Sequence, residues 1–582
     1  MSNEATTPAP RWHAWLVLGV ALLMTLPSLR VGAILDDWMH RALVRGELLD
    51  RAWWDLFNFA DGNPEHLKPF LETGPYPWYT LPDLRLRFFR PLSSALIQLD
   101  GRLFGDAVWA AHLHTTLWYL ALVAVVRALY RRLVPHVALA AALLFAVDDA
   151  HTIPVMWLAN RNSLVAVTFA WLGLWAHLQW RERGWKPGLP LSFFAFITAL
   201  SGGETAVAAM AYVVAYELVG RPKGEARSAR LRGVAPATVA VLLFAVLYKT
   251  MGMGSRGSAT YLDPSSEPLA WLSNAPTRFL AMVGGQTTVV PPDLWLSLPV
   301  ARPLLVGLGV VALGAWWLAW RRWAPTDADE RRTLQWLWLG AVLALIPPLS
   351  TFPSARLWLA PSLGAGAVVA TFLRGAWREG GWRRVVGAGW IVASFVVQPL
   401  VSWLSVNQAF TEVGVRTTRA VLDLDVKPGE KLIVVASSDF TPAVYGVPVL
   451  SEHHLPPPAT WHVWSMAPYA HHWTRLSEDE VELRADGPMV RSVFEENFRA
   501  TDTRPFSVGD EVAVQGMTYR VTEVQDGAPT ALRIRFSVPM TGYRYVTWNG
   551  ETLVTVAPPA LGQTVELPRG TTIFERILLG KP

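Results

Sequence analysis

The chain has no cysteine and few charged residues for its length. Because none of its 582 residues is Cys, disulfides, thiolate catalysis and cysteine–zinc sites are excluded. Asp, Glu, Lys and Arg make up only 17% of the chain, whereas soluble domains usually carry about 25%. The net charge of +5 comes from short Lys/Arg clusters between apolar runs, which argues against nucleic-acid binding. No signal-peptide cleavage pattern stands out near the N-terminus, so we expect the first apolar run to remain as an anchor.

Long apolar runs dominate the first 405 residues. Hydrophobic residues make up 52% of the chain, and its 30 Trp favour membrane–water interfaces. A bilayer core of about 30 Å needs about 20 apolar residues per helix. Such runs predict an α-helical polytopic membrane protein with about eleven spans, near residues 12–33, 108–130, 136–153, 158–179, 189–202, 204–220, 232–251, 301–320, 333–350, 356–374 and 384–405.

Basic clusters between these runs predict the orientation. The positive-inside rule places loops rich in Lys and Arg in the cytoplasm. The clusters are Arg131-Arg132, Arg181 to Lys186, Arg221 to Arg232, Arg321-Arg322, Arg331-Arg332 and Arg374 to Arg384. We therefore expect a cytoplasmic N-terminus in a bacterial inner membrane. The loops 34–107 and 252–300 and the tail then lie on the periplasmic side.

The tail differs from the rest of the chain. After residue 427, Pro and Gly turn signals separate short alternating runs such as Lys431 to Val435 and Leu532 to Phe536. This pattern is typical of antiparallel strands in a small sandwich or barrel. We therefore divide the chain into a transmembrane domain at 1–405, a linker at 406–426 and a β-rich extracytoplasmic domain at 427–582.

Two adjacent acids, Asp36 and Asp37, follow the first span. Charge at a membrane exit is expensive unless it is solvated or used. One interpretation is a solvated cap for the span. The other is a general base, or half of a metal site, because a carboxylate can be held near an acceptor hydroxyl and partly desolvated. His40 follows in the same segment and joins the candidate site.

Positive side chains near the outer surface are candidates for binding a phosphate. Arg90 lies in the aromatic stretch Arg87 to Leu92, and a planar guanidinium can bind a lipid phosphate through two hydrogen bonds. The alternative is an interfacial helix whose Arg binds ordinary headgroups. Arg161 and Arg356 lie at the outer ends of the fourth and tenth predicted spans. Lys249 is a further candidate, although it can also extend harmlessly to the surface.

More polar residues lie at the outer helix ends. Asp148, Asp149 and His151 are candidates for a metal site, although a single His is more often only hydrogen-bonded. Asn160 opens the following span. Glu204 lies between two apolar runs, and an acid inside the membrane is a functional candidate. The alternative for Glu204 is a helix N-terminal residue stabilised by the helix dipole.

Together these features resemble the GT-C superfamily of membrane glycosyltransferases, whose donors are sugars linked to polyprenyl or dolichyl phosphate. The stretches WLANRNS (157–163), GETA (203–206) and ARLWLAPS (355–362) are similar to motifs of one subgroup. That subgroup contains bacterial O-mannosyltransferase-like proteins and animal transmembrane proteins with tetratricopeptide repeats. Gly203 stands where the subgroup usually has Lys, and Ala355 where it has Glu. A strand-rich tail replaces the repeats.

The resemblance implies inverting transfer of a sugar from a polyprenyl-phosphate donor to a protein, lipid or glycan acceptor. Asp36 or Asp37 would then orient and deprotonate the acceptor. Arg90, Arg161 and Arg356 would bind the donor phosphate, because this leaving group needs charge stabilisation more than a proton. A divalent metal ion would serve equally well, and the sequence leaves the metal, the sugar and the acceptor open.

Two other classes of protein stay open. A transporter or flippase would also carry acids and Arg in its helices, but it normally shows repeated halves with Gly- or Pro-broken helices. The sequence shows no clear repeat of that kind. A non-catalytic, membrane-anchored assembly protein would use the tail as its working part. A cavity that Asp36 and Asp37 line and that continues into a lipid-facing groove would favour the transferase. A buried carboxylate without a cavity would favour the structural interpretations.

Overall fold

A computed structural model describes residues 10–48 and 51–578 of the chain. Most of these residues are helical. In the described part, the α-helices are α1 (Trp12–Thr25), α2 (Asp36–Arg45), α3 (Pro64–Thr73), α4 (Pro91–Phe104), α5 (Val108–Leu133), α6 (Ala138–Val147), α7 (Thr152–Met156), α8 (Arg161–Arg183), α9 (Gly188–Gly202), α10 (Thr205–Ala215), α11 (Arg227–Thr250), α12 (Pro268–Thr287), α13 (Leu294–Ser297), α14 (Arg302–Trp323), α15 (Ala328–Ala344), α16 (Ser362–Glu379), α17 (Gly381–Val392), α18 (Gln398–Leu422), α19 (Phe440–Glu452) and α20 (Ile573–Leu578).

Helices occupy all eleven apolar runs. Among the described residues, six segments are long and apolar enough to cross a membrane: Trp12–Arg30, Val108–Leu133, Arg227–Thr250, Pro299–Trp323, Ala328–Ser350 and Gly381–Leu422. The bent pair Pro135–Val147 and Asp149–Met156 adds a seventh if it forms one span. The predicted class of helical membrane protein is confirmed, while the count of eleven spans stays a prediction.

The predicted outer loop 252–300 contains the helix α12, of 20 residues, which hydropathy does not indicate. This helix, α12, packs directly on α14. A Cβ added at Gly309 would lie 2.1 Å from the carbonyl oxygen of Leu280, and one at Gly284 would lie 2.5 Å from that of Leu305. Only glycine permits this close approach of two backbones. Hydropathy misses α12 because Pro276 and several polar residues interrupt its apolar run.

Several of the basic clusters that predict the orientation form ion pairs with acids on other helices. At the end of α5, Arg132 Nη2 lies 2.7 Å from Oε2 of Glu182, which is at the end of α8. In α8, Arg181 Nε lies 2.6 Å from Oε1 of Glu217, which follows α10. The ends of α5, α8 and α10 therefore meet at one end of the helical bundle, as alternating spans require.

Within the described ranges, the strands form three sheets. In order they are β1 (Asn58–Asp61), β2 (Arg85–Arg87), β3 (Gly254–Arg256), β4 (Lys431–Ala436), β5 (Thr460–Val463), β6 (His471–Arg475), β7 (Glu480–Ala485), β8 (Glu511–Val514), β9 (Met517–Gln525), β10 (Ala528–Phe536), β11 (Arg544–Trp548), β12 (Leu553–Thr555) and β13 (Thr564–Leu567). The sheet orders are β1-β2-β3, β13-β6-β7-β10-β9-β8 and β12-β11-β4-β5. The first sheet joins the segments 34–107 and 252–300, and the other two form the β-rich tail.

The tail is only partly antiparallel. Its six-stranded sheet is antiparallel throughout, as the alternating runs predict. In the four-stranded sheet, however, β4 pairs in parallel with both β11 and β5, and α19 connects β4 to β5. The buried run Leu432 to Ala436 is typical of a parallel strand covered on both faces. Pro442, Gly446 and Pro448 within α19 conceal this helix from sequence patterns.

The tail shares its hydrophobic core with the segment 34–107, the first predicted outer loop. The Trp78 indole donates a hydrogen bond to the carbonyl oxygen of Trp464 at 2.9 Å. Its ring stacks on Tyr519 with centroids 5.0 Å apart. The backbone N–H of Leu81 also donates to the carbonyl oxygen of Phe498 at 3.1 Å. The loop and the tail therefore pack together as one unit.

Substitution of Gly74 by alanine would test this packing. It ends α3 with φ +96°, and an added Cβ would lie 2.1 Å from the carbonyl oxygen of Trp461. Gly46 ends α2 with φ +70° and has nothing within 4 Å of an added Cβ. Both Gly→Ala changes introduce backbone strain of about 1–2 kcal/mol. We expect Gly74→Ala to cost about 1–3 kcal/mol more through overpacking.

Thermal unfolding of the two variants in detergent measures this difference. Gly46→Ala is the matched control, since it alters the same type of helix end without a clash. Equal unfolding temperatures for Gly74→Ala and Gly46→Ala would contradict the close contact between α3 and β5.

Candidate active site

Helix α2 carries the acids that follow the first span. It begins at Asp36, immediately after Leu35, whose φ of +48° is unusual for a residue other than glycine. Asp36 and Asp37 occupy its first turn, where negative charge interacts favourably with the helix dipole. The helix ends at Gly46 in the left-handed conformation, as glycine allows. At Leu35, in contrast, the positive φ strains the backbone. Such strain costs about 1–3 kcal/mol and clusters at functional sites.

The Asp36 carboxyl is hydrogen-bonded to a tyrosine and lies within electrostatic range of two arginines. The Tyr445 hydroxyl donates a hydrogen bond to Asp36 Oδ1 at 2.8 Å. Burial raises the pKa of the Asp36 carboxyl above its usual value, while the Tyr445 hydrogen bond and the charges of Arg356 and Arg90 act in the opposite direction. A half-buried carboxylate with a raised pKa is suited to accept a proton. We call Asp36, Arg90, Arg356 and Tyr445 the Asp36 cluster.

Asp37 has a different environment. It is 1% exposed, and its Oδ1 accepts a hydrogen bond from the backbone N–H of Ala159 at 2.7 Å. Its Oδ2 accepts one from the N–H of Ile34 at 3.3 Å. Burial raises the pKa of Asp37 to about 8, so the neutral form prevails at pH 7. The contacts of Asp37 thus tie α2 to the segment before α8.

Arg356 has no acidic partner within ion-pair distance in the described part of the chain. Its guanidinium lies 5.7 Å from the ring centres of Trp157 and Phe352, so two aromatic faces support it. The positive charge acts on Asp36. This guanidinium retains its donors for an external anion.

Arg90 belongs to the same cluster but is already paired. Its Nε donates to Glu204 Oε2 at 2.8 Å. The guanidinium also lies 4.8 and 4.7 Å from the ring centres of Phe57 and Phe88. The Tyr248 side chain lies close enough to interact electrostatically with both Arg90 and Glu204. Glu204 has no basic residue beside it in the sequence, but the fold brings Arg90 to it as an ion-pair partner.

A cavity of about 80 Å³ lies on the Asp37 side of α2, and Asp37, His40, Asp100 and Arg161 are among its lining residues. His40 is buried, with its ring 4.6 Å from that of Phe57. Burial lowers the pKa of His40 to about 3, so its ring is neutral.

Arg161 contributes to this cavity rather than facing Asp36. Its Nη1 lies 2.6 Å from Asp100 Oδ2, and Asp100 Oδ1 lies 2.6 Å from His114 Nδ1. Arg161 thus has a buried acidic partner that the sequence analysis did not identify. Its role in donor binding stays a prediction.

We expect Arg161→Ala to destabilise the protein. The side chains of Arg161 and Asp100 are only 3% and 10% exposed, and removing one partner of a buried pair costs about 3–5 kcal/mol. Thermal unfolding in detergent should show a lower transition temperature, and the double variant Arg161→Ala/Asp100→Ala should recover part of it. Unchanged stability with a raised KM for the donor would instead support the phosphate role.

The other predicted site residues are dispersed. Lys249 Nζ donates to Ser265 Oγ at 2.7 Å. Asn160 precedes α8, and its Oδ1 is buried with no hydrogen-bond partner in the described part of the chain. Within the described residues, neither forms a hydrogen bond or ion pair with the Asp36 cluster, and their roles stay predictions.

Asp148, Asp149 and His151 form contacts of two kinds. The Gln286 amide donates to Asp148 Oδ1 at 3.0 Å and to Asp149 Oδ1 at 2.9 Å. His151 Nδ1 instead lies within hydrogen-bond distance of the Tyr119 hydroxyl oxygen, at 3.2 Å. Among the described residues, no group of three or more His, Cys, Asp or Glu side chains is arranged to hold a metal ion.

Sequence analysis missed Tyr445 and Tyr248 altogether. Tyr445 lies in the tail, and a tyrosine in a helix carries no signal that its hydroxyl reaches the first outer segment. Tyr248 lies at the end of an apolar helix, where an aromatic residue is expected for interfacial reasons alone.

The fold and this site together define an integral membrane protein with a β-rich domain packed against the segment 34–107. No protein-family model matches the chain, and neither does any curated protein sequence. Two similar solved structures are of ArnT from Cupriavidus metallidurans. The one bound to undecaprenyl phosphate has 14% identity and a TM-score of 0.39, covering 78% of this chain and 90% of ArnT. The apo structure has 14% identity and a TM-score of 0.40, covering 76% and 84%. These likenesses are too distant to assign the chain to a family.

Proposed function

We propose that this chain is a membrane glycosyltransferase that moves a sugar from a polyprenyl-phosphate donor to an extracytoplasmic acceptor. One observation carries the proposal. A half-buried carboxylate, Asp36, lies within electrostatic range of Arg356, whose guanidinium has no acidic partner among the described residues. Transfer from a phosphate-linked donor requires a base and an anion-binding group in the same region.

In the proposed reaction, an acceptor hydroxyl oxygen attacks the anomeric carbon of the sugar. Asp36 takes the proton of that hydroxyl as the new glycosidic bond forms. The bond from the anomeric carbon to the phosphate oxygen breaks, and its electron pair stays on the lipid phosphate. Arg356 stabilises the charge that develops there. Arg90, held by Glu204, adds positive charge to the same region.

The finer features of the proposal follow from the sequence. The motifs around Arg161, Glu204 and Arg356 resemble those of the GT-C superfamily and, within it, of the O-mannosyltransferase-like subgroup. This resemblance supports the proposal that the chain belongs to both. The basic clusters support a cytoplasmic N-terminus, which puts the Asp36 cluster and the tail on the outer face. That arrangement suits an acceptor outside the cytoplasm.

The test is sugar transfer by the full-length purified protein. Membranes from cells lacking the gene supply the acceptor. The donors are undecaprenyl phosphates that carry radiolabelled mannose, galactose, glucose or a pentose. Incorporation of label that depends on the added protein, with release of undecaprenyl phosphate, would support the proposal. Absence of incorporation from every donor would contradict it.

A further inference from the structure

The helix α19 brings the tail into direct contact with the candidate base. Its Tyr445 hydroxyl donates to Asp36 Oδ1 at 2.8 Å. The Tyr445 ring also packs against Trp38 of α2, with ring centres 5.8 Å apart. A residue 409 positions away in the chain thus touches the carboxylate that the sequence places at the exit of the first span.

Both ends of α19 are fastened, so the position of Tyr445 is well determined. At its start, Asp439 Oδ1 accepts a hydrogen bond from the Thr441 N–H at 2.8 Å. The Thr417 hydroxyl of α18 donates to that of Thr441 at 2.9 Å. At its end, Glu452 forms an ion pair with Arg41 of α2 at 2.7 Å. Two anchored ends leave little freedom for the hydroxyl between them.

We propose that Tyr445 is a positioning residue that orients the Asp36 carboxylate for catalysis, so that the tail completes the active site. This inference rests on the proposed function. The Tyr445 hydroxyl occupies Oδ1, and the second carboxylate oxygen is left to receive the acceptor proton. A hydrogen bond to a charged group also stabilises that charge, and therefore the ionised, basic form of Asp36.

Tyr445→Phe removes only the hydroxyl and keeps the ring beside Trp38. Loss of a hydrogen bond to a charged group corresponds to a fall in transfer rate of about 10-fold or more at neutral pH. Because the carboxylate loses a stabilising donor, the acidic limb of the kcat/KM profile should move to higher pH. The other ionisable groups that face Asp36 are Asp37, Tyr76, Arg90 and Arg356, and the variant leaves them unchanged.

The matched control is Tyr545→Phe. Tyr545 is a buried tyrosine of the same domain, and its hydroxyl donates to the carbonyl oxygen of Met540 at 3.0 Å. This change should leave the pH profile in place. A structural effect of losing a buried hydroxyl would lower the unfolding temperature in both variants and move neither profile.

The outcomes also separate this inference from the proposed function. A shifted acidic limb in Tyr445→Phe alone, at wild-type unfolding temperature, supports it. If wild-type protein transfers sugar and Asp36→Asn does not, the proposed function stands. Wild-type rate and pH profile in Tyr445→Phe would then overturn the positioning role. Loss of transfer without any shift of the limb would also overturn it.

Discussion

Asp36→Asn should lower the rate of sugar transfer by about 10²–10⁴-fold, the usual cost of losing a positioned general base. Asparagine keeps the shape of the side chain and can still accept the Tyr445 hydrogen bond, but it cannot take a proton. Asp36 is only half-buried, and no backbone group depends on it in the described structure. We therefore expect protein abundance and the unfolding temperature to stay near wild type.

Asp37→Asn is the contrasting variant. Asp37 is neutral at pH 7 when its pKa is about 8, and asparagine resembles a neutral carboxyl group in shape. One amide oxygen can replace only one of the acceptors that meet Ala159 and Ile34. The variant should therefore lose some stability and retain most of its transfer activity. Full activity in Asp36→Asn with none in Asp37→Asn would reverse the assignment of the base.

The pH dependence of the wild type follows from the same carboxylate. Asp36 acts as a base only when ionised, and burial raises its pKa above the usual value. Transfer should therefore disappear as the pH falls through this raised pKa, at a higher pH than for an ordinary Asp near 3.9. The kcat/KM profile measures this limb.

The helical class and the position of the acids could be predicted because both depend on local sequence. Apolar runs of spanning length predict helices wherever they occur, and Asp36 and Asp37 stand directly after the first run. The alternating strands near Leu532 were recognisable for the same reason. Hydropathy failed at α12, where polar residues contact neighbouring helices: the Arg278 guanidinium donates to the carbonyl oxygen of Leu349.

The contacts that give the site its chemistry could not be predicted from one sequence. Arg90 pairs with Glu204, 114 positions away, and Tyr445 reaches Asp36 across most of the chain. Arg161 and Arg356 looked equivalent as predicted outer-face arginines, yet among the described residues only Arg161 has an acidic partner, Asp100. Such pairings depend on how the helices pack, which no local pattern records.

Arg356→Ala should lower kcat for transfer by about 10²–10³-fold, the usual cost of removing one donor that stabilises developing negative charge. Arg356 has no acid to leave unpaired in the described residues, so the unfolding temperature should change little. Arg90→Ala would also leave the half-buried Glu204 without its partner, so it should lower both activity and stability.

Arg356→Lys and Arg302→Ala complete the experiment. Lysine keeps the charge but loses the planar pair of donors, so it should recover only part of the activity if the phosphate is held by two hydrogen bonds. Arg302 also lies against an aromatic ring, 5.3 Å from that of Trp295, but outside the Asp36 cluster, and its loss should spare transfer. Rates are measured with saturating undecaprenyl-phosphate-linked sugar at equal amounts of folded protein. A wild-type kcat in Arg356→Ala would mean that the donor phosphate is bound elsewhere, because no other residue of the Asp36 cluster offers an unpaired guanidinium.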